Sequence, residues 1–222
     1  MKRGIISTIC LLSFCVLPAK ASLVTIQITS EITEVSDTAG LLRGQIDIGD
    51  IIAGTYTYNS ATLDSSPATR IGRYEHNVNP YGMFLRSESG VEFQSDPYKI
   101  AFLIEIINDN IGYGGDRYLA WSQRNIPLRE GVFIYSIWCE FFDPTYTALS
   151  DDSLPLSPPV LTDWERHFLQ IDGHTLGPAD RILDRFQIIA TVISVQPVPE
   201  PATVLLIGFG ALILTRKTLT RK

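Results

Sequence analysis

From Val24 the chain alternates between apolar and polar residues. Val24, Ile26, Ile28 and Ile32 fall on one side of the alternation, and Thr25, Gln27, Thr29, Glu31 and Thr33 on the other. Successive side chains of an extended strand point to opposite faces, so period two predicts a β-strand with one buried and one wet face. Further strands are predicted at Ile51–Tyr58, Gly82–Arg86, Val91–Gln94, Lys99–Ile107, Tyr118–Ser122, Val132–Phe142 and Phe186–Val195. Turn-forming stretches separate them: Asp37–Gly40, Ser65-Ser66-Pro67, Asn79-Pro80, Ser87–Gly90, Gly112–Asp116 and the long Asp143–Pro159. Ser87–Gly90 is short enough for a hairpin turn. One helix is predicted near Thr162–Gln170, where the Thr162 hydroxyl can cap DWERHFLQ. About eight strands joined by turns predict an all-β domain over residues 22–196, an antiparallel β-sandwich or jelly roll.

Both ends break this pattern. Met1-Lys2-Arg3 is positive, Gly4 to Leu17 is mostly apolar, and Ala19-Lys20-Ala21 follows Pro18. A positive start, a short apolar stretch and an A-x-A triplet form a secretory signal peptide, residues 1–21, with Ala19 and Ala21 marking cleavage by signal peptidase. The apolar stretch of about 14 residues is short for a retained membrane anchor. Phe14 before Cys15 takes the place of the small residue that a lipidation box requires. At the other end, Ala202 to Thr215 is uncharged and largely apolar, and Arg216, Lys217, Arg221 and Lys222 follow it. As a helix, 202–215 spans about 21 Å, a short crossing helped by snorkelling cations and local bilayer thinning. Cations beside a membrane segment stay cytoplasmic, so the domain is expected outside and the tail inside. Directly before the helix stand Pro199-Glu200-Pro201, after Pro197. Prolines lack amide donors and hold the backbone extended, which makes a stiff, unpaired strand at the membrane surface.

That order of parts resembles a PEP-CTERM sorting signal over residues 197–222: Pro199-Glu200-Pro201, a short transmembrane helix, then a basic cluster. The resemblance implies reading by an exosortase, a membrane-embedded cysteine transpeptidase of Gram-negative bacteria that also make exopolysaccharide. It further implies processing near Pro199–Pro201, an inner-membrane intermediate, and delivery to the cell surface or biofilm matrix. The stretches GDIIAGTYTYNSATLDSSP, SESGVEFQSDP and FLIEIINDN also resemble uncharacterised ectodomains found ahead of such tails. That likeness supports the β reading and implies no activity.

Charge and cysteine content narrow the rest. The net charge is -6, but seven of the 18 basic residues (Lys2, Arg3, Lys20, Arg216, Lys217, Arg221, Lys222) lie at the ends. Ser22–Thr215 keeps the other 11 with all 24 acidic residues, a formal charge of -13. A domain so acidic is a poor match for nucleic acid, which needs a basic face. Removing the signal peptide takes Cys10 and Cys15 and leaves Cys139 alone, so no internal disulfide forms. Cys139 reads as a buried small hydrophobe, with a reactive thiol as the other possibility.

No catalytic motif stands out. His167 and His174, near Asp163 and Asp172, are metal-type groups without a metal-type spacing, and His76 is remote from them. Serine, histidine and aspartate all occur, but there is no G-x-S-x-G elbow. Glu105 interrupts the apolar run AFLIEII, as an acid for glycoside hydrolysis or simply as an outward-facing residue. Asn108-Asp109-Asn110 with Gly112–Asp116 is an oxygen-rich loop that suits Ca²⁺ or an ordinary tight turn. Trp121, Trp138 and Trp164, with nine tyrosines, offer stacking surfaces for sugars or core packing. The expected function is therefore a non-catalytic surface or matrix protein that binds exopolysaccharide or partner proteins and needs no cofactor. The alternative is a secreted carbohydrate-active enzyme.

Overall fold

A computed structural model describes residues 23–199. The predicted signal peptide, Glu200 and Pro201 of the sorting motif, helix 202–215 and the basic tail lie outside the described residues. Ten strands form one antiparallel sheet: β1 Leu23–Ser36, β2 Ile51–Asn59, β3 Ile71–His76, β4 Gly82–Ser87, β5 Glu92–Gln94, β6 Phe102–Asn110, β7 Gly115–Ser122, β8 Val132–Asp143, β9 Arg166–Leu176 and β10 Ile182–Pro197. Their order is β3-β6-β7-β8-β9-β10-β1-β2-β4-β5. β6 to β10 are a meander of consecutive neighbours, while β3 leaves β2 for the far edge.

The all-β, antiparallel character is as predicted, but one curled sheet replaces the two sheets of a sandwich. Six strands separate β2 from β3 in the sheet, yet the Tyr58 and His76 rings are 6.3 Å apart. Tyr118 of β7 donates its hydroxyl hydrogen bond to the Tyr56 hydroxyl of β2 at 3.1 Å. A bridge between Ser95 and Asn125, and a 2.7 Å contact between the Ser95 and Ser122 hydroxyls, join the two ends. Curling lets one sheet bury its concave face against itself, which a flat sheet of this length cannot do. The concave face carries Ile26, Ile28, Ile52, Tyr56, Phe93, Ile104, Ile106, Cys139, Phe141, Ile171, Phe186 and Ile188, all at most 2 % exposed.

The segment predicted as a helix is a strand. A short 3₁₀ turn, Leu161–Asp163, ends before β9, and the Thr162 hydroxyl contacts Asp163 rather than capping a backbone N–H. In β9 the core residues Leu169, Ile171 and Gly173 alternate with Phe168, Gln170, Asp172 and His174. Ladders to β8 and β10 take alternate residues of β9, so between them they satisfy its backbone groups and outweigh local helix preference. β3 was not predicted. Its mixed, short sequence, Ile71-Gly72-Arg73-Tyr74-Glu75-His76, is held to β6 by pairing and covered on its free edge. There Arg73 N–H donates to Asp64 Oδ1 and Ser65 N–H to Arg73 O.

Residues 144–160 close one end of the core. Tyr58 donates to Pro155 O at 2.6 Å and Tyr74 to Asp152 O at 2.8 Å. Burial, with Asp64 and Asp152 nearby, pushes the Tyr74 phenol up to about 12. Gly173 packs against the core with no room for a side chain. A Cβ there would overlap Phe186 Cε1 and Cζ and meet Phe133 O at 2.8 Å. Gly173→Ala is therefore expected to lower stability by about 2–3 kcal/mol through overpacking, read from the urea midpoint at unchanged m-value.

Candidate functional site

The concave face is packed, so any site on the sheet must use the convex face. Two tryptophans stand on it side by side. Trp121 of β7 is the register partner of Trp138 of β8, and the rung continues to Leu103 on β6 and Gln170 on β9. Both tryptophans alternate with core residues of their own strands, Ala120 and Ser122 or Ile137 and Cys139, and so point outward. Both are half-buried, and their Nε1 atoms are wholly covered without a hydrogen-bond partner. The part of each ring that meets solvent is therefore carbon. Leu103 and Leu119, which point the same way, are covered by these larger neighbours.

The aromatic surface extends along β8 and β9. Phe168 meets Trp138 edge-on at 6.1 Å, and the Arg166 guanidinium sits 4.4 Å above the Phe142 ring. Beside them Arg117 bridges to Glu140 at 2.6 Å, both mostly shielded. The strip then turns polar. The Asp172 carboxylate accepts from Ser136 Oγ at 3.0 Å, Gln170 Nε2 at 2.9 Å and Gln187 Nε2 at 2.9 Å. His174 follows on the same face, with Phe133 and Tyr135 rings each 6.0 Å away. Burial and the Arg185 charge lower its pKa, so it is neutral at pH 7.

The other candidate residues are placed elsewhere. Trp164 is core, 7 % exposed, against Phe141. Cys139 is fully buried and burial pushes its thiol far up, so the small-hydrophobe reading holds and a nucleophilic thiolate does not. His76 is interior. Its Nε2 accepts the Asn59 N–H at 3.1 Å, which leaves Nδ1–H to donate to Tyr74 O, and burial lowers its pKa. His167 and His174 are seven residues apart on one strand, an odd number, so they face opposite sides of the sheet and cannot share an ion. Among the described residues no three His, Cys, Asp or Glu side chains converge as metal ligands. Glu105 faces outward opposite Arg73, whose guanidinium pairs instead with Glu75 at 3.1 Å.

The predicted calcium loop is split by the strands. Asn108–Asn110 ends β6, and Asp116 is a buried residue of β7. Asp116 accepts the Asp109 and Leu149 N–H groups at 2.8 and 2.9 Å. Its register partner Asp143 accepts from the N–H groups of Thr145, Thr147 and Ala148 and from the hydroxyls of Thr145 and Thr147. These carboxylates already tie the 144–160 loop to the sheet.

Sequence reading found Trp121 and Trp138 but missed the Asp172 hub. The period-two signal was present in Gln170-Ile171-Asp172-Gly173-His174, hidden by the helix prediction over its first part. The sorting segment attaches directly to the sheet. Pro197 pairs with Ile26, and the Val198 N–H donates to Thr25 O at 2.9 Å, one residue before Pro199. Among the described residues no helix is long and apolar enough to cross a membrane. No curated protein and no solved structure matches the chain. Its last 26 residues do find a match: residues 197–222 fit the PEP-CTERM protein-sorting motif, the signal of exosortase substrates, which implies export and a membrane-anchored sorting intermediate.

Proposed function

We propose that the domain ahead of the sorting signal is a non-catalytic surface or matrix protein of a Gram-negative bacterium that binds exopolysaccharide through the convex face of β7–β9. The observation that carries this is the Trp121–Trp138 pair, two large rings on adjacent strands that present carbon to solvent rather than to the core. Sugar rings have apolar C–H faces that stack on such surfaces, while their hydroxyls need hydrogen-bonding neighbours of the kind Gln170, beside Trp138, supplies. Two buried indole N–H groups without partners cost stability, on the order of 1–3 kcal/mol each, which fits a surface kept for a ligand rather than for folding. The exosortase signal supports the same destination, since it implies membrane sorting and release toward the matrix.

A hydrolytic reading has one observation in its favour. Glu105 and Glu140 flank Leu119 on the same outward rung, with backbones about 10 Å apart across two strand spacings, near the tryptophans. Against it, the Glu140 carboxylate is already engaged by Arg117 at 2.6 Å and is mostly shielded, so it is not free to meet a substrate. A glycan array with a reducing-sugar assay on the same polysaccharides separates the two readings. Binding without product release is expected, and turnover abolished by Glu105→Gln would replace this proposal with the enzyme. Joint replacement of Trp121 and Trp138 by alanine is expected to weaken polysaccharide binding at least about tenfold in titration calorimetry. Unchanged affinity would remove the platform.

A further inference from the structure

Strand β9 has an extra residue opposite it on both sides, at Asp172–Gly173 toward β8 and at Thr175 toward β10. On β8, Ile134 pairs with Gly173 and Ser136 with Asp172, which leaves Tyr135 as a bulge. On β10, Ile182 pairs with Leu176 and Arg185 with His174, so Leu183 and Asp184 face the single residue Thr175. A bulge bends its strand and re-aims a side chain, and such irregularities gather beside binding sites. With both neighbours bent, the outward residues of β9 between them, Asp172 and His174, become the floor of a cleft of about 540 Å³. That is the size of a small-molecule site, on the order of 300–1,000 Å³. Its walls are Tyr135 on one side and Arg185, Gln187 and Ser36 on the other.

From this geometry we infer that the cleft is a binding site for one uncharged pyranose unit, distinct from the tryptophan platform. Tyr135 is 62 % exposed, a large ring spent on solvent at a bulge, and it supplies the stacking wall. Asp172 is fixed by three side-chain donors, so the floor of the cleft, with Gln170 and Gln187 tied to it, is ordered before a ligand arrives. Gln187 is oriented by the same bond, with its amide oxygen left to accept. Arg185 makes no ion pair among the described residues and brings donors to the same space. Acceptor and donor facing one cavity fit neighbouring hydroxyls, one giving a hydrogen bond and one receiving it.

Charge selects against acidic sugars. Arg185 and Asp172 cancel within the cleft, and the surrounding stretch of formal charge -13 repels a polyanion at long range. One carboxylate lines the space, so the cleft holds a sugar without the second acid that hydrolysis needs. The polysaccharide reading above supplies the source of the sugar, and the inference rests on it for that alone.

The test uses the full chain in detergent micelles with neutral hexasaccharides (β-1,4-glucan, β-1,3-glucan, β-1,4-mannan and α-1,4-glucan) and an alginate hexamer. At least one neutral oligomer is expected to shift the His174 imidazole signals, assigned with His174→Asn. Its affinity should be unchanged between about 0.05 and 0.5 M NaCl, since an uncharged ligand is not screened. Tyr135→Ala and Gln187→Ala, both at exposed or rim positions, are expected to lower that affinity at least about tenfold with the melting temperature unchanged. If sugars bind, and the tryptophan variants abolish binding while Tyr135→Ala, Gln187→Ala and the His174 signals show no effect, the cleft inference fails and the platform reading stands. If alginate binds in its place with a strong salt dependence, the uncharged class is wrong. If no neutral oligomer moves the His174 signals, the inference is overturned.

Discussion

With Pro199, Glu200 and Pro201 all replaced by alanine, the chain is expected to accumulate uncleaved in the membrane, with most of the released product lost. The structure sharpens the reason. β10 runs unbroken to Pro197, and the last ladder-like bond, from Val198 N–H to Thr25 O, falls one residue before the motif. The sheet's pairing therefore runs to the residue before the motif. Proline at 199 and 201 removes amide donors that could extend pairing along β1. Alanine restores those donors, removes the stiffness and deletes the one carboxylate of the triplet. Because the three positions follow the end of β10, the melting temperature of the domain is expected to be unaffected, which separates failed recognition from failed folding. Pulse-chase with fractionation measures this, and normal release of the triple variant would show that the motif is not what is read.

Asp143→Ala is expected to cost about 3 kcal/mol and lower the melting temperature by roughly 6–12 °C. The carboxylate is 3 % exposed and gathers three backbone N–H groups and two hydroxyls from 145–148, the start of the loop that closes the core. Without it those N–H groups and the two hydroxyls lose the acceptor that holds the loop to the sheet. Burial alone would raise its pKa, but the bonds from Thr145 and Thr147 outweigh that and bring it down to about 2. The folded value lies below the unfolded one, near 3.9. The contribution is thus complete above about pH 4 and disappears as pH falls through about 2. Asp143→Asn keeps one acceptor oxygen and has no proton to gain, so its stability is expected to be lower at pH 7 and flatter between pH 4 and 2. Urea unfolding across that range decides the matter, and an acid-induced loss as steep in Asp143→Asn as in the parent would assign the effect to another group.

The alternation from Val24 to Thr33 and the apolar runs in 102–107 and 132–142 announce strands because a strand's two faces are written in nearest neighbours. The C-terminal sorting motif is legible for a similar reason, since a sorting enzyme reads contiguous residues. The partners of those strands are not local. β1 lies beside β10, some 160 residues away in sequence, and β3 is a strand because β6 holds it. Residues 163–170 carry a helix-like composition, and the ladders on either side of β9 override it. The same non-local pairing sends Trp164 into the core and Trp121 and Trp138 outward, though all three are aromatic residues among β signals. It turns Asp116 and Asp143 from apparent turn residues into buried acceptors, and it places the bulges at Tyr135 and Leu183-Asp184 on either side of Asp172. Face and register depend on which backbone groups a strand hydrogen-bonds, and a single extra residue in one partner reverses the side on which everything beyond it falls.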